Sequence, residues 1–267
     1  MNRTIYIPGG VHVPNSTLSL FDWMLHKTES LHSLVRRYKS PDEYPFFPDA
    51  LLQPILPPLH YPRILHPNDV NVNEKLKKSY IEHILPAACT QYGREERGEA
   101  QENFGSAATC DVVCLQALSR RIHFGKFVAE SKFQAETARF VALIKSEDRE
   151  GIDVAITDAK VEKKVLERLR LKAMKYGTDP SIPANGPVKI DAAAVVSMYK
   201  DYVIPLTKEV EGNTLCSDCA TPNGKMPKVI EYLPKINSHI KSSTRFRGPY
   251  AILLCLITLQ NSTSKLF

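Results

Sequence analysis

The 267-residue chain is 43% hydrophobic and 24% charged, proportions ordinary for a soluble globular protein and enough for one large domain or two small ones. Its formal net charge of +6 sits near the C-terminal end: residues 212–267 hold seven Lys/Arg against two Asp/Glu, and 1–211 lacks the basic stripe with interleaved aromatics of a nucleic-acid binder. The longest apolar run, 250–259, is about half a membrane-spanning helix, and no signal or transit peptide opens the chain, so neither nucleic acid nor a membrane is an expected partner.

Residues 1–16 are punctuated by Gly and Pro and are predicted irregular. Residues 18–38 read as an amphipathic helix with Leu18, Phe21, Leu25, Leu31, Leu34 and Val35 on its apolar side. It ends in Arg36 and Arg37, where cations suit the negative end of the helix dipole. Residues 41–67 carry eight prolines among Phe, Tyr, Leu and Ile, which predicts a long ordered loop rather than a flexible linker. Asn73 is predicted to cap a helix that stops near Leu85, ahead of Pro86. A polar loop at 90–102 leads into the central stretch. After that stretch come segments at 136–145 and 149–156, then a helix at 161–176 capped by Asp158 and stopped by Gly177. Residues 178–189 form a Pro/Gly loop. Asp191 caps a last helix at 192–211, kinked or restarted at Pro205.

The central stretch, 103–133, has no proline, and Val113, Ala117, Ile122, Phe124, Phe127, Val128 and Phe133 fit a mostly buried helix. Arg121 and Lys132 are eleven residues apart. At about 100° per residue they share a face, roughly 16 Å apart along the axis. Two long cations so placed can clamp a small anion bearing several negative groups; the alternative is a solvated basic edge on a core helix.

Of the six cysteines, Cys110 and Cys114 read as small hydrophobes on the central helix. Cys216 and Cys219 form a lone CxxC with no second pair to complete a zinc site. No metal is expected, and the cysteine pattern fits a reducing compartment.

No β alternation of useful length and no internal repeat appear. The expected fold is all-α: a single-domain helical bundle around one long central helix, with a long Pro-rich loop. Its parts are an irregular segment at 1–16, a helical domain at 17–211, and a divergent tail at 212–267 that is disordered or loosely packed. Helical sequence is expected to stop at Gly212.

LSRRIHFGKFVAESKF (118–133) closely resembles the signature helix of the all-helical chorismate mutases of fungi and plants. SPDEYPFFPD (40–49), NFGSAAT (103–109), VEKKVLERL (161–169) and VIPLTKEVE (203–211) resemble the same family, in the right order, across roughly 17–211. The resemblance implies a Claisen rearrangement of chorismate to prephenate, on the route to phenylalanine and tyrosine. The reaction is pericyclic, so it needs no cofactor, only positioning of a dianion and preorganised electrostatics. Carried over by position, Arg121 binds a substrate carboxylate and Lys132 the ether oxygen. Glu162 holds the substrate hydroxyl, Thr207 assists carboxylate binding, and Glu211 faces the ether oxygen, which requires a protonated carboxyl. Asp158 stands where fungal members carry asparagine and is expected to act through its backbone or as a cap. The resemblance also implies a homodimer with an effector site for tyrosine and tryptophan, matched here by Arg36, Arg37, Asn103, Gly105 and Ser106. It implies a cytoplasmic location, or a plastid one if a transit peptide has been lost.

Two departures from the family pattern stand out. The family's first helix, which supplies a second substrate-binding arginine, has no counterpart around Arg3. Residues 212–267 match nothing in the family and read as translated intron or a mispredicted gene model. An alternative follows: a catalytically impaired isoform acting as a dimerisation or regulatory partner.

Overall fold

The computed structural model describes residues 3–58, 65, 68–89, 101–177 and 191–217. Its helices are α1 (Leu20–Leu34), α2 (Asn73–Ser79), α3 (Leu85–Cys89), α4 (Phe104–His123), α5 (Gly125–Ala135), α6 (Thr137–Lys145), α7 (Arg149–Ile156), α8 (Ala159–Gly177), α9 (Ala192–Met198) and α10 (Ile204–Ser217). No strand occurs among the described residues, so the chain forms the expected all-α bundle. The loops expected at 90–102 and 178–189, and the tail beyond Ser217 with Cys219 and the 250–259 run, lie largely or wholly outside these residues.

The central helix forms, but in two pieces. Phe124 closes α4 and opens α5, and there the backbone tightens: Phe127 N donates to Phe124 O at 3.0 Å while the regular Val128 N bond to the same oxygen stretches to 3.4 Å. Ala108, Val112, Leu115, Leu118 and Ile122 form the buried stripe of α4, at helical spacing. Of the apolar residues expected inside, only Ile122 and Phe127 are buried; Val113, Ala117, Phe124, Val128 and Phe133 are half-buried. Around the stripe pack Phe21 and Leu25 of α1, Leu76 of α2, Leu169 and Ala173 of α8, and Val203, Leu206 and Val210 at the α10 end. A second cluster joins Ala129, Phe140, Ile144, Ile152, Ile156 and Leu215.

Both prolines placed inside helical sequence are absorbed the same way. Pro86 does not stop its helix, because a π-helical turn at Tyr80–Ile84 precedes α3 and the chain stays helical to Cys89. A second π turn at Tyr199–Val203 precedes Pro205. A proline removes one amide donor, and a wider turn just before it re-registers the carbonyls. Asp158 and Asp191 cap α8 and α9 as expected, accepting from Val161 N at 3.0 Å and Ala193 N at 2.8 Å. Asn73 does not act as the cap. It is buried as the first residue of α2, where its amide donates to Tyr44 O and Pro45 O and its Oδ1 accepts from Ser119 Oγ.

The last helix also departs from expectation. It does not stop at Glu211 but runs to Ser217, with Thr214 and Leu215 buried and Asn213 Oδ1 accepting from Arg149 Nη1 at 2.9 Å. Glycine in a helix interior loses about 1 kcal/mol relative to alanine, whereas burying one leucine returns about 1.5–3 kcal/mol. Packing of Leu215 therefore overrides the Gly-Asn break.

The buried face of α1 is the row Phe21, Leu25, Glu29 and Ser33, while Leu31 and Val35 point outward, more than half exposed. The two polar members of the row fasten the Pro-rich loop. Glu29 is fully buried and accepts from Phe46 N and Phe47 N, both at 2.8 Å; Ser33 Oγ accepts from Leu52 N at 2.9 Å. Lower down, Arg120 pairs with Asp42 at 3.0 Å and Glu43 at 3.3 Å, and Arg37 pairs with Glu43 at 2.6 Å. Lys126, also fully buried, donates to Tyr44 Oη at 2.5 Å and Asn68 Oδ1 at 2.6 Å and lies 4.2 Å over the Tyr44 ring. His123 Nε2 accepts from Val72 N. The N-terminal segment is held too: Ile5 and Val13 are buried, and Tyr6 donates to Asp111, which also accepts from Tyr80 at 2.9 Å.

Burial pushes the Glu29 carboxyl up to about 7, against the opposing pull of the Phe46 and Phe47 amides, Arg37 and Lys77. A raised carboxyl stabilises the fold while it holds its proton, and that contribution is lost as pH climbs from the ordinary glutamate range through about 7. Glu29→Ala should lower the melting temperature at pH 6 by about 5–12 °C, the effect of orphaning two amides. Thermal scans from pH 5 to 8 should also show a shallower decline in the variant than in the unmodified protein.

Candidate active site

Four helices contribute the residues singled out by resemblance: Arg121 from the last turn of α4, Lys132 from the last turn of α5, Glu162 from the first turn of α8, and Thr207 and Glu211 from α10. The crossing of α5 and α10 brings two of them into contact. Lys132 Nζ donates to Glu211 Oε2 at 2.9 Å and to Ile156 O at 2.5 Å. Thr207 lies one turn before Glu211 on the same face, with its hydroxyl donating to Val203 O at 2.7 Å. Both are nearly buried, at 8% and 6% exposure.

Gly125 makes this approach possible. A Cβ there would lie 3.1 Å from Thr207 O, 3.1 Å from Thr207 Cγ2 and 3.3 Å from Glu211 Cγ. Any other residue would push α10, and the carboxyl it carries, away from α5.

Burial raises the Glu211 carboxyl above its ordinary value, and the opposing charges of Lys132, Arg121 and Lys208 only partly offset this. Arg121 is half-buried; its charge reaches both Glu211 and the phenol of Tyr199, and it forms no ion pair among the described residues. Glu162 Oε1 lies 2.6 Å from Lys208 Nζ. Asp158 is a helix cap, as expected, its Oδ1 accepting from Lys160 N and Val161 N. A cavity of about 550 Å³, lined by Lys132, Glu136, Phe140 and residues 155–160, meets this group only at Lys132 and Asp158. The arrangement is a set of fixed cations and donors around a buried carboxyl. No group of three or more His, Cys, Asp or Glu able to hold a metal occurs among the described residues.

The expected effector residues fall into two separate groups. Arg36 adopts a left-handed conformation (φ 69°) and donates to Pro57 O, while its buried Nε has no partner. Arg37 is engaged by Glu43, by His32 Nδ1 at 2.8 Å and by Gln116 Oε1 at 2.8 Å. Asn103, Gly105 and Ser106 lie exposed at the start of α4, with Ser106 Oγ donating to Asn103 O.

Lys208 was not singled out by resemblance, although its place between Thr207 and Glu211 would have put it at the same site. Lys126 belongs elsewhere. At about 100° per residue it sits some 140° around from Arg121, facing the Pro-rich loop.

Residues 104–212 match the model of the family "Chorismate mutase type II". The chain is 70% identical over 212 residues to the chorismate mutase of Emericella nidulans, covering 79% of each chain. Among solved structures it resembles the chorismate mutase of Candida albicans in complex with L-Trp, at 44% identity and a TM-score of 0.76 over 82% of each chain. It also resembles AtCM1 with tyrosine bound in its allosteric site, at 38% identity and a TM-score of 0.71, covering 80% of this chain and 84% of that one. The chain belongs to the type II chorismate mutases.

Proposed function

We propose that this chain converts chorismate to prephenate at the junction of α4, α5, α8 and α10. The observation that carries the reading is the Lys132–Glu211 pair, an ammonium 2.9 Å from a buried carboxyl. Chorismate carries two carboxylates and an ether bond that breaks as a carbon–carbon bond forms. Arg121 takes one carboxylate through its planar fork, and Thr207 becomes a further donor when its hydroxyl turns from Val203 O to the substrate. Lys132 donates to the ether oxygen as charge develops there, and Glu211, when protonated, donates to the same atom. Glu162 accepts from the ring hydroxyl, so the substrate is held by both ends in its compact conformer. Fixed donors aimed at developing charge supply the larger part of such a rate enhancement, and holding the reacting ends together supplies the rest. The reading of the chain as an impaired dimerisation partner finds no support in the relatives, which are named as the enzyme.

Glu211 donates only while protonated. A carboxyl raised by burial keeps its proton to higher pH than an ordinary glutamate, and activity should fall as pH rises through its value. Glu211→Gln, a permanent donor, should flatten the dependence of kcat on pH between 5 and 9. An unmodified protein with a flat profile would remove Glu211 from this role.

The two groups of effector residues belong to one site only across two copies of the chain. Arg37 touches Gln116, ten residues and about 15 Å along α4 from Ser106, farther than one amino acid reaches. Leu31, Val35, Leu51, Leu52 and Ile55, all exposed, form an apolar surface beside Arg36 and Arg37 of the kind that marks an interface. Light scattering should give twice the chain mass for the unmodified protein and the single mass for Leu31→Glu. Tyrosine or tryptophan should change kcat/KM at least about fivefold, and Arg36→Ala should abolish that response while basal turnover persists. A monomeric unmodified protein, or one indifferent to both amino acids, contradicts this reading.

A further inference from the structure

We propose that Lys208 is a positioning residue for substrate binding: its ammonium fixes Glu162 so that one carboxylate oxygen stays open to accept from the substrate hydroxyl. The inference rests on the reading of Glu162 as that acceptor. Lys208 Nζ lies 2.6 Å from Glu162 Oε1. The pair joins the first turn of α8 to the middle of α10, helices that otherwise meet mainly through α9. Both side chains are about one-third exposed, at 33% and 32%. An ion pair so placed adds little to stability, so its consequence lies in what it orients.

Two features make the orientation matter. Asp158 caps α8 four residues before Glu162, which fixes the helix turn but leaves the glutamate's own torsions free. Lys208 removes that freedom by holding one oxygen. The charge balance also depends on it. Glu162 would face a dianionic substrate, and Lys208 sets a cation 2.6 Å from it, adding to the positive charge of Arg121 and Lys132. Without it, Glu162 is free to swing and meets the dianion uncompensated. The loss falls on binding of the ground state and transition state alike, and therefore on KM more than kcat.

The test is steady-state turnover of chorismate by the full chain and by Lys208→Met, Lys208→Arg, Glu162→Gln and the Lys208→Met/Glu162→Gln double variant, each checked for an unchanged melting transition. Lys208→Met should raise KM about tenfold, the scale of one charged hydrogen bond, with kcat changed far less. Lys208→Arg should recover most of the loss, because the charge and reach remain. The double variant should be no worse than Glu162→Gln alone, since Lys208 acts through that residue. A raised KM in Glu162→Gln with an unchanged KM in Lys208→Met would reduce the pair to a surface contact. Additive losses in the double variant would mean that Lys208 acts independently of Glu162. Unchanged KM in both single variants would overturn the role of Glu162 and this inference with it.

Discussion

The close approach of α10 to α5 at Gly125 is the constraint on which the rest of the site depends. It seats Thr207 and Glu211 against the base of α5 and sets the Lys132 ammonium beside a carboxyl with little access to water. Burial alone would drive that carboxyl strongly toward its neutral form. Lys132, Arg121 and Lys208 pull the other way but do not cancel the effect. The proposed chemistry, a donor to an ether oxygen in a pocket for two carboxylates, calls for this balance: enough positive charge to bind, and a carboxyl dry enough to keep its proton. The same helix that carries the carboxyl also closes the second apolar cluster through Leu215, so the position of Glu211 is fixed from both ends.

A second constraint holds the other side of α4. The described part of the Pro-rich loop forms one short 3-10 turn, Pro48–Ala50, and is otherwise fastened by polar groups from three helices: Glu29 on its amides, Arg120 on Asp42 and Glu43, and Lys126 over Tyr44. Arg120 and Arg121 are adjacent in sequence and act in different places, one paired with the loop and the other near enough for its charge to act on Glu211. Arg37 shares Glu43 with Arg120, which ties the end of α1 into the same network.

Much of this was legible in the sequence. The four-residue spacing of Thr207 and Glu211 and the caps at Asp158 and Asp191 follow from helical geometry over short distances, whereas the shared face read for Arg121 and Lys132 assumes one unbroken helix through Phe124, where α4 gives way to α5. Long motifs in the right order named the family. What escaped depends on partners far away in the chain. Glu29 looks like a surface residue until Phe46 and Phe47 are folded onto it, and Lys126 looks exposed until the loop arrives from residue 44. Gly212 reads as a helix stop because local propensity says so, and only the burial of Leu215 reverses it. Pro86 misleads in the same way, since the π turn that accommodates it has no local signature. Hydrophobic periodicity put Leu31 and Val35 inside, whereas α1 turns Glu29 and Ser33 inward to serve the loop. Lys208 could be placed near Glu211 from its position on α10, but its contact with Glu162 joins residues 46 apart and has no local signature.

The most direct test of the central claim is the activity of Gly125→Ala alongside its melting temperature. An added methyl group would sit 3.1 Å from the Thr207 carbonyl and 3.3 Å from Glu211 Cγ, so α10 must move by a few tenths of an ångström. The helix itself would gain roughly 0.5–1 kcal/mol from losing its glycine, which limits the loss of stability. Gly125→Ala should lower kcat/KM at least about tenfold, as when one preorganised donor is displaced, with the melting temperature held within a few degrees. Full activity in a folded Gly125→Ala protein would contradict the central claim.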